Sequence, residues 1–427
     1  MDIFHTLKQI WRVPDLRKKL IFTAFILLVF RFLAHVPVPG IDRDTLSRFF
    51  SGSAFLTLLD VFSGGTLANL SVMALGVNPY INASIILQML GMVIPQLEAL
   101  QEEGDYGRQK INQYTRLLTL PLAIIQSFGL IILLKNQGIA LISSPLQLLS
   151  IMITLTTGTI LLMWLGELLT EHGLGNGVSI IIFAGIAGRL PVALIRTASV
   201  ATSQNLTNLV VFSAMAMVVI YFVVKTTQAQ REITVQYARR LRSSLSTGTQ
   251  LTHLPLRLNQ AGVIPIIFAV SLMLVPSMLG NFLSSSANPT LNQLGRFFAI
   301  NLAPQTISYI TLYFLLVIIF TYFYTAVVFN PEKIADQIKK NGGFIPGVRP
   351  GQPTIDYLTH ILNRITLAGA FFLGLIAVLP NVMQSLTSVS TLAIGGTGLL
   401  IVVSVILETA RDMESQLVMH NYDKFLS

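Results

Sequence analysis

Apolar runs too long for a soluble core constrain this chain before anything else does. Leu20 to Leu33, Leu117 to Leu134, Ile151 to Leu165, Leu206 to Val224, Ile310 to Phe329 and Leu392 to Leu407 each approach the roughly 20 residues an α-helix needs to cross about 30 Å of hydrocarbon. Backbone inside a bilayer must hydrogen-bond to itself, so such runs form either helices or the strands of a closed barrel. The alternating ten-residue pattern of barrel strands is missing. Composition agrees, with 53% hydrophobic and 11% charged residues, against about a quarter charged in soluble domains. The sequence therefore predicts an all-α polytopic membrane protein. Its ten spans are expected near residues 20–36, 73–94, 115–134, 149–166, 177–190, 207–225, 261–281, 308–328, 365–380 and 391–408. Residues 1–19 are too charged to read as a cleavable signal peptide. The chain has no cysteine, which excludes disulfides, iron–sulfur clusters and thiolate chemistry.

The formal net charge of +9 comes from 28 Lys and Arg against 19 Asp and Glu. Threading the ten spans with the N-terminus in the cytoplasm puts 21 of those 28 cations on the cytoplasmic side. Only Arg31, Arg43, Arg48, Lys135, Arg189, Arg196 and Arg296 fall on the far side. The positive-inside rule then predicts that both termini are cytoplasmic. About half of the cytoplasmic cations sit in two long connections, 226–260 and 329–364. Such cations orient the chain and attract anionic lipids. Two long basic segments on one face also suit docking of a macromolecule such as a ribosome or an acidic protein.

Two spans are short. Asn78-Pro79 reads as a helix start, Asn as N-cap and Pro first in the helix. The 16 steps from Pro79 to Pro95 cover about 24 Å, less than the hydrocarbon core. The helix either continues back through Met73-Ala74-Leu75-Gly76 or begins at membrane depth. The preceding stretch, residues 55–67, includes Leu58, Leu59, Asp60, Val61, Phe62, Ser63, Gly64 and Gly65. It is apolar enough to leave water and too broken to span. It is either an interfacial helix or a re-entrant element in a cavity. The fifth span, after Gly173-Leu174-Gly175-Asn176-Gly177, is also short. Paired short, Gly- or Pro-interrupted segments point to a cavity between structural repeats. Two halves, 1–200 and 201–427, each with five spans, are expected to be related by inversion because five is odd.

Ion-coupled transporters and selective channels place ionisable groups at mid-membrane. Here Arg31, Glu167 and Glu408 lie near predicted span ends, and the six histidines are dispersed at ends or in loops. No carboxylate pair, nucleophile triad, phosphate loop or metal-binding cluster is evident, so the chain is expected to be non-enzymatic and to carry no cofactor or metal. Polar residues within spans are uncharged: Asn82, Ser84 and Gln88 in the second, Gln126 and Ser127 in the third, Ser271 in the seventh. They either hydrogen-bond a neighbouring helix or form a polar seam between helices that separate.

Phrases along nearly the whole chain give it a resemblance. Among them are Pro37-Val38-Pro39-Gly40, Asp60-Val61-Phe62-Ser63-Gly64-Gly65, Asn78-Pro79-Tyr80-Ile81-Asn82-Ala83-Ser84, Gly104-Asp105-Tyr106-Gly107-Arg108, Gly175-Asn176-Gly177-Val178-Ser179, Pro255-Leu256-Arg257-Leu258-Asn259 and Gly343-Phe344-Ile345-Pro346-Gly347-Val348-Arg349-Pro350-Gly351. In number and order they resemble the SecY family, the central subunit of the protein-conducting channel, and the last phrase favours its bacterial form. The resemblance implies an hourglass channel of two five-helix halves in the cytoplasmic (inner) membrane. Such a channel passes unfolded secretory polypeptides across the membrane and releases helices sideways into lipid. It implies a pore ring at Ile81, Ile85, Ile182, Ile267 and Ile401, a plug at residues 55–67, and a lateral gate that would take in Asn82, Gln88, Gln126, Ser127 and Ser271. It implies SecA or ribosome binding through Arg349, Pro350 and Gly351 and through Arg239, Arg240 and Arg242. SecE and SecG small subunits and signal sequences would be further partners. The Ser/Thr-rich spacer from Arg242 to Thr252 departs from the more basic runs of many members. Two other readings stay open on the residues themselves: a secondary transporter of a small solute, and an insertase or scaffold that releases helices without an aqueous path.

Overall fold

All ten apolar stretches carry a helix in the computed structural model, which describes residues 13–39, 66–67, 69–136, 144–189, 191, 206–237, 250–284, 288–303, 306–387 and 396–426. In chain order the first elements are α1 (Pro14–Leu33), α2 (Asn78–Val93), α3 (Pro95–Glu102), α4 (Asp105–Asn136), α5 (Pro145–His172), α6 (Gly177–Ala187) and α7 (Leu206–Gln228). Strands β1 (Gln230–Tyr237) and β2 (Gln250–Arg257) follow, then α8 (Ile264–Ser284), α9 (Pro289–Asn301), α10 (Ile307–Val328), α11 (Pro331–Lys340), β3 (Gly343–Phe344), α12 (Gln352–Thr387) and α13 (Gly396–Leu426). Spans one to ten correspond to α1, α2, α4, α5, α6, α7, α8, α10, α12 and α13.

Local chemistry explains where these helices begin. Ser144, Asn176, Thr306 and Asn330 each accept a hydrogen bond from a backbone N–H in the first turn of α5, α6, α10 and α11. Proline follows at the start of α5 and α11, where its missing N–H costs nothing. At α2 the expectation is off by one residue: Val77 is the cap, Asn78 is already helical, and no side chain caps the turn. Met73 to Gly76 form turns, with Gly76 at φ +62°, so α2 does not extend backward. Its 16 residues measure about 24 Å. At its far end Ile94-Pro95 turns the chain by 108° into α3. The 11 residues of α6 reach only about 16 Å.

The two basic connections are not separate loops. β1 pairs antiparallel with β2, from Gln230↔Arg257 to Tyr237↔Gln250. On its other edge β1 pairs with β3, at Gln236↔Phe344 and Tyr237↔Gly343. Pro255 lies on β2, an outer strand, where a missing N–H is tolerated. Beneath the sheet Ile233, Val235 and Leu256 pack with Ala335, Ile338, Ile345, Leu358, Ile361 and Leu362 in one apolar core. Residues more than 70 positions apart therefore share one folded module. Leu256 is fully buried there. Leu256→Ala is expected to cost about 2–5 kcal/mol and to expose the Lys339–Arg349 segment as well as the hairpin to limited proteolysis. Cleavage confined to 230–257 would show that the connections fold independently.

Helix packing falls into two sets. α1, α2, α4, α5 and α6 touch one another, and α7, α8, α10, α12 and α13 do likewise. The sets meet mainly along two seams, α2 against α8 and α6 against α13, with a smaller contact of α1 against α13. At the end of α1 nearest the N-terminus, Leu16 packs with Leu174 and Leu417, and Lys19 Nζ donates to Gln416 Oε1 at 3.0 Å.

Candidate constriction and gate

The five isoleucines singled out in the sequence lie on the four helices that form these seams. Ile81 and Ile85 are one turn apart on α2 and share a face; Ile267 is on α8, across the first seam. Ile182 on α6 and Ile401 on α13 face the second. Ile81, Ile182, Ile267 and Ile401 are 8%, 7%, 9% and 1% exposed and belong to one continuous apolar cluster, with Ile85 packed against it. β-Branched side chains are stiff at χ1, so side chains of this kind make a narrow, well-defined apolar contact zone.

Two devices set the position of Ile182. At the start of α6, Gly177 lies so close to α5 that a Cβ would overlap the Gly166 carbonyl oxygen. Its N–H donates to Thr170 Oγ1 at 2.9 Å. At the other end the Arg31 guanidinium reaches across from α1. Its Nη2 donates to the carbonyl oxygens of Ala184 at 2.9 Å and Gly185 at 3.4 Å in the last turn, Ala184 O also accepting from the Gly188 N–H at 3.1 Å. Gly188 makes the room, since a Cβ there would overlap the guanidinium. From the sequence Arg31 reads only as a far-side cation near a span end; the one available signal is an arginine inside an apolar run. Arg31→Ala and Gly188→Val are both expected to destabilise the protein by about 1–3 kcal/mol and to raise its ion leak. Unchanged thermal unfolding and conductance would show that α6 needs no such strut.

The polar residues are partly accounted for. Gln88 Nε2 donates to Ser84 Oγ at 3.0 Å within α2, while Gln88 Oε1 is buried without a partner. Ser127 donates to the Ile124 carbonyl of its own helix at 2.8 Å. Asn82, Gln126 and Ser271 are half-buried. These residues stand on α2, α4 and α8, and α2 packs against both of the others. Near one end of α4 and α5, Arg116 Nε and Glu167 Oε1 pair at 2.6 Å, the arginine half-exposed and the glutamate more enclosed; with solvent reaching the pair it is worth about 1 kcal/mol.

Arg349 and Pro350 are exposed on the two-loop module. Gly351 takes φ +104°, and Thr354 Oγ1 donates to the Arg349 carbonyl at 2.9 Å. The turn is therefore held through the Arg349 carbonyl by the Thr354 hydroxyl and by the Thr354 N–H on the Gly351 carbonyl, and the arginine side chain takes no part in those bonds. Arg239, Arg240, Arg242 and the segment Leu58 to Gly65 lie outside the described residues. Of the stretch 55–67, Thr66 and Leu67 are described, both buried in a turn. Among the described residues no group of three or more His, Asp or Glu is placed to hold a metal ion.

Chemically, this arrangement is an apolar contact zone where two helix sets meet, built among the described residues from uncharged side chains. Comparison with known proteins places it. The SecY family model matches residues 71–410. The protein translocase subunit SecY of Streptomyces scabiei is 43% identical over 435 residues, covering 97% of this chain and 98% of that relative. Among solved structures, one described as a protein conducting channel superposes with a TM-score of 0.60 at 16% identity, over 95% of this chain and 92% of its own. Canine Sec61, from a ribosome-channel complex of the endoplasmic reticulum, gives 0.60 at 18%, over 93% and 92%. The structural likeness establishes the shared fold, and the sequence identity over nearly the full length of a relative goes further: the chain belongs to the SecY family.

Proposed function

We propose that this chain is the membrane-embedded, non-enzymatic channel through which unfolded secretory polypeptides cross the inner membrane and from which hydrophobic segments leave sideways into lipid. The observation that carries this reading is the position of the five isoleucines, on the helices where the two packed sets meet. Parting of the sets at both seams would open an axial path lined by uncharged side chains, with no fixed charge to hold a cargo of changing chemistry. Parting at α2 and α8 alone would open a lateral exit, with Asn82, Gln88, Gln126, Ser127 and Ser271 near it. The sets correspond to halves 1–200 and 201–427, both termini face the cytoplasm, and residues 55–67 act as a plug on the outer side. SecE and SecG are companion subunits, anionic lipids surround the chain, and signal sequences open it. The ribosome or the SecA motor docks on the module carrying Arg349, Pro350 and Gly351, and on Arg239, Arg240 and Arg242. That the relatives are named translocase subunits, and that the fold is shared with channels, including one taken from a ribosome complex, supports the reading of a protein-conducting channel with a ribosome among its partners.

The direct experiment uses the full chain with SecE and SecG in liposomes. An unfolded precursor should become protected from external protease only when SecA and ATP are both present. Protection without SecA, or none at all from correctly inserted protein, would overturn the reading. Saturable uptake of a small solute by the chain alone would instead support a transporter.

A further inference from the structure

Between α8 and α10 the chain builds a helix that the spans themselves do not require. At 13 residues α9 is too short to span, and it has no continuous apolar run. On a helical wheel Leu291, Leu294, Phe297 and Phe298 fall in one stripe, bordered by Gln293 one turn from Phe297 and by Ile300, with Arg296 on the side away from it. The four apolar side chains are 39%, 53%, 61% and 37% exposed. This exposure is not loose docking. Gly295 lies against the backbone of Leu283 and Ser284, where a Cβ would overlap Ser284 N. Asn292 Nδ2 donates to the Ser284 carbonyl at 2.6 Å. The helix is thus clamped to the end of α8 with its apolar stripe turned outward.

Chain length and neighbouring surface decide what meets that stripe. Residues 285–288 and 302–306 join α9 to the spans α8 and α10, and a residue reaches at most about 3.6 Å. α9 therefore stays within about 15–20 Å of two membrane exits. The spans it is tied to expose apolar side chains of their own, Leu272 on α8 and Ile307, Leu312, Leu315 and Ile319 on α10. We propose that α9 lies in the interfacial layer of the outer leaflet, its stripe among acyl chains and Arg296 among lipid phosphates. It moors the outer end of α8, one of the two helices of the first seam. The surface-lying geometry follows from an apolar face opposed by a cation. The proposal rests on the orientation given under Proposed function.

The absence of cysteine permits a clean test. F297C, R296C and L315C, each at an exposed position and carrying a nitroxide, are placed in phosphatidylethanolamine–phosphatidylglycerol vesicles. Collision with oxygen, which partitions into lipid, is compared with collision with a water-soluble nickel chelate. The L315C label should report hydrocarbon. The F297C label should show an oxygen-to-nickel ratio several-fold above that of R296C. A label at F297C as open to nickel as R296C would place the helix in water, and one shielded from both reagents would mean that protein, such as a second copy, covers the stripe; either overturns the proposal while L315C stays in lipid. Were L315C also in water, the membrane reading beneath the proposal would fall with it.

Discussion

Ile182→Ser and Ile401→Ser are expected to raise the ion conductance of the idle protein in planar bilayers at least about tenfold. The sizes behind this estimate are simple. Exchanging a buried isoleucine for a hydroxyl side chain removes about 1.5–3 kcal/mol of the free energy that keeps a constriction dry. Each ~1.4 kcal/mol is worth a factor of ten in a barrier-limited rate. Ile401, at 1% exposure, is the most enclosed of the five, so its serine variant should leak at least as much as that of Ile182. Ile182→Val keeps the β-branch and most of the apolar surface, and should stay near the parental conductance. The valine variant also separates sealing from folding: a leak common to both substitutions would point to a disturbed α6. Parental conductance in both serine variants would remove these positions from the seal.

Arg349→Glu is expected to lower SecA-driven export at least about tenfold, since a like charge set against a partner surface costs several kcal/mol. Co-translational insertion of membrane proteins should fall far less. The structure gives reason to treat this as docking. Arg349 is exposed, and the hydrogen bond that shapes its turn uses its backbone carbonyl, which the substitution leaves in place. The apolar core of the module, from Ile233 to Leu362, does not include the arginine. Thermal unfolding of the variant should match the parent. Equal loss of both activities, with a lowered unfolding temperature, would show that Arg349 is a folding residue.

Much of the fold is legible in the sequence for a physical reason. Hydrocarbon cannot solvate a peptide group, so a long apolar run has one way to satisfy its backbone, and each of the ten stretches is a helix. Even the shortness of α2 and α6 can be counted from Pro79, Pro95 and Gly177. The module of β1, β2 and β3 was not legible as one unit. Gln236↔Phe344 and Tyr237↔Gly343 join strands separated by α8, α9, α10 and α11, and periodicity within a window carries no information about a partner so far away. The clamp of α9 on α8 was hidden for the same reason, because Gly295 acquires its meaning only from Ser284 beside it.

The candidate site divides along the same line. Isoleucine is commonplace in membrane helices, and nothing in the spacing of Ile81, Ile85, Ile182, Ile267 and Ile401 distinguishes them from their neighbours; the family resemblance picked them out. Their arrangement on α2, α8, α6 and α13, at the two seams, is a property of packing. Arg31 is the sharper case. In sequence it is a charge at the end of an apolar run; in the fold it binds the last carbonyls of α6 in a space left by Gly188. By itself, then, the sequence determined the apolar spans and their helical form, because these follow from the local cost of burying backbone, and its phrases carried the family. Which helices meet, which carbonyls an arginine finds and which loops share a core were decided by tertiary structure alone, since contacts between distant residues are set by the closure of the whole bundle.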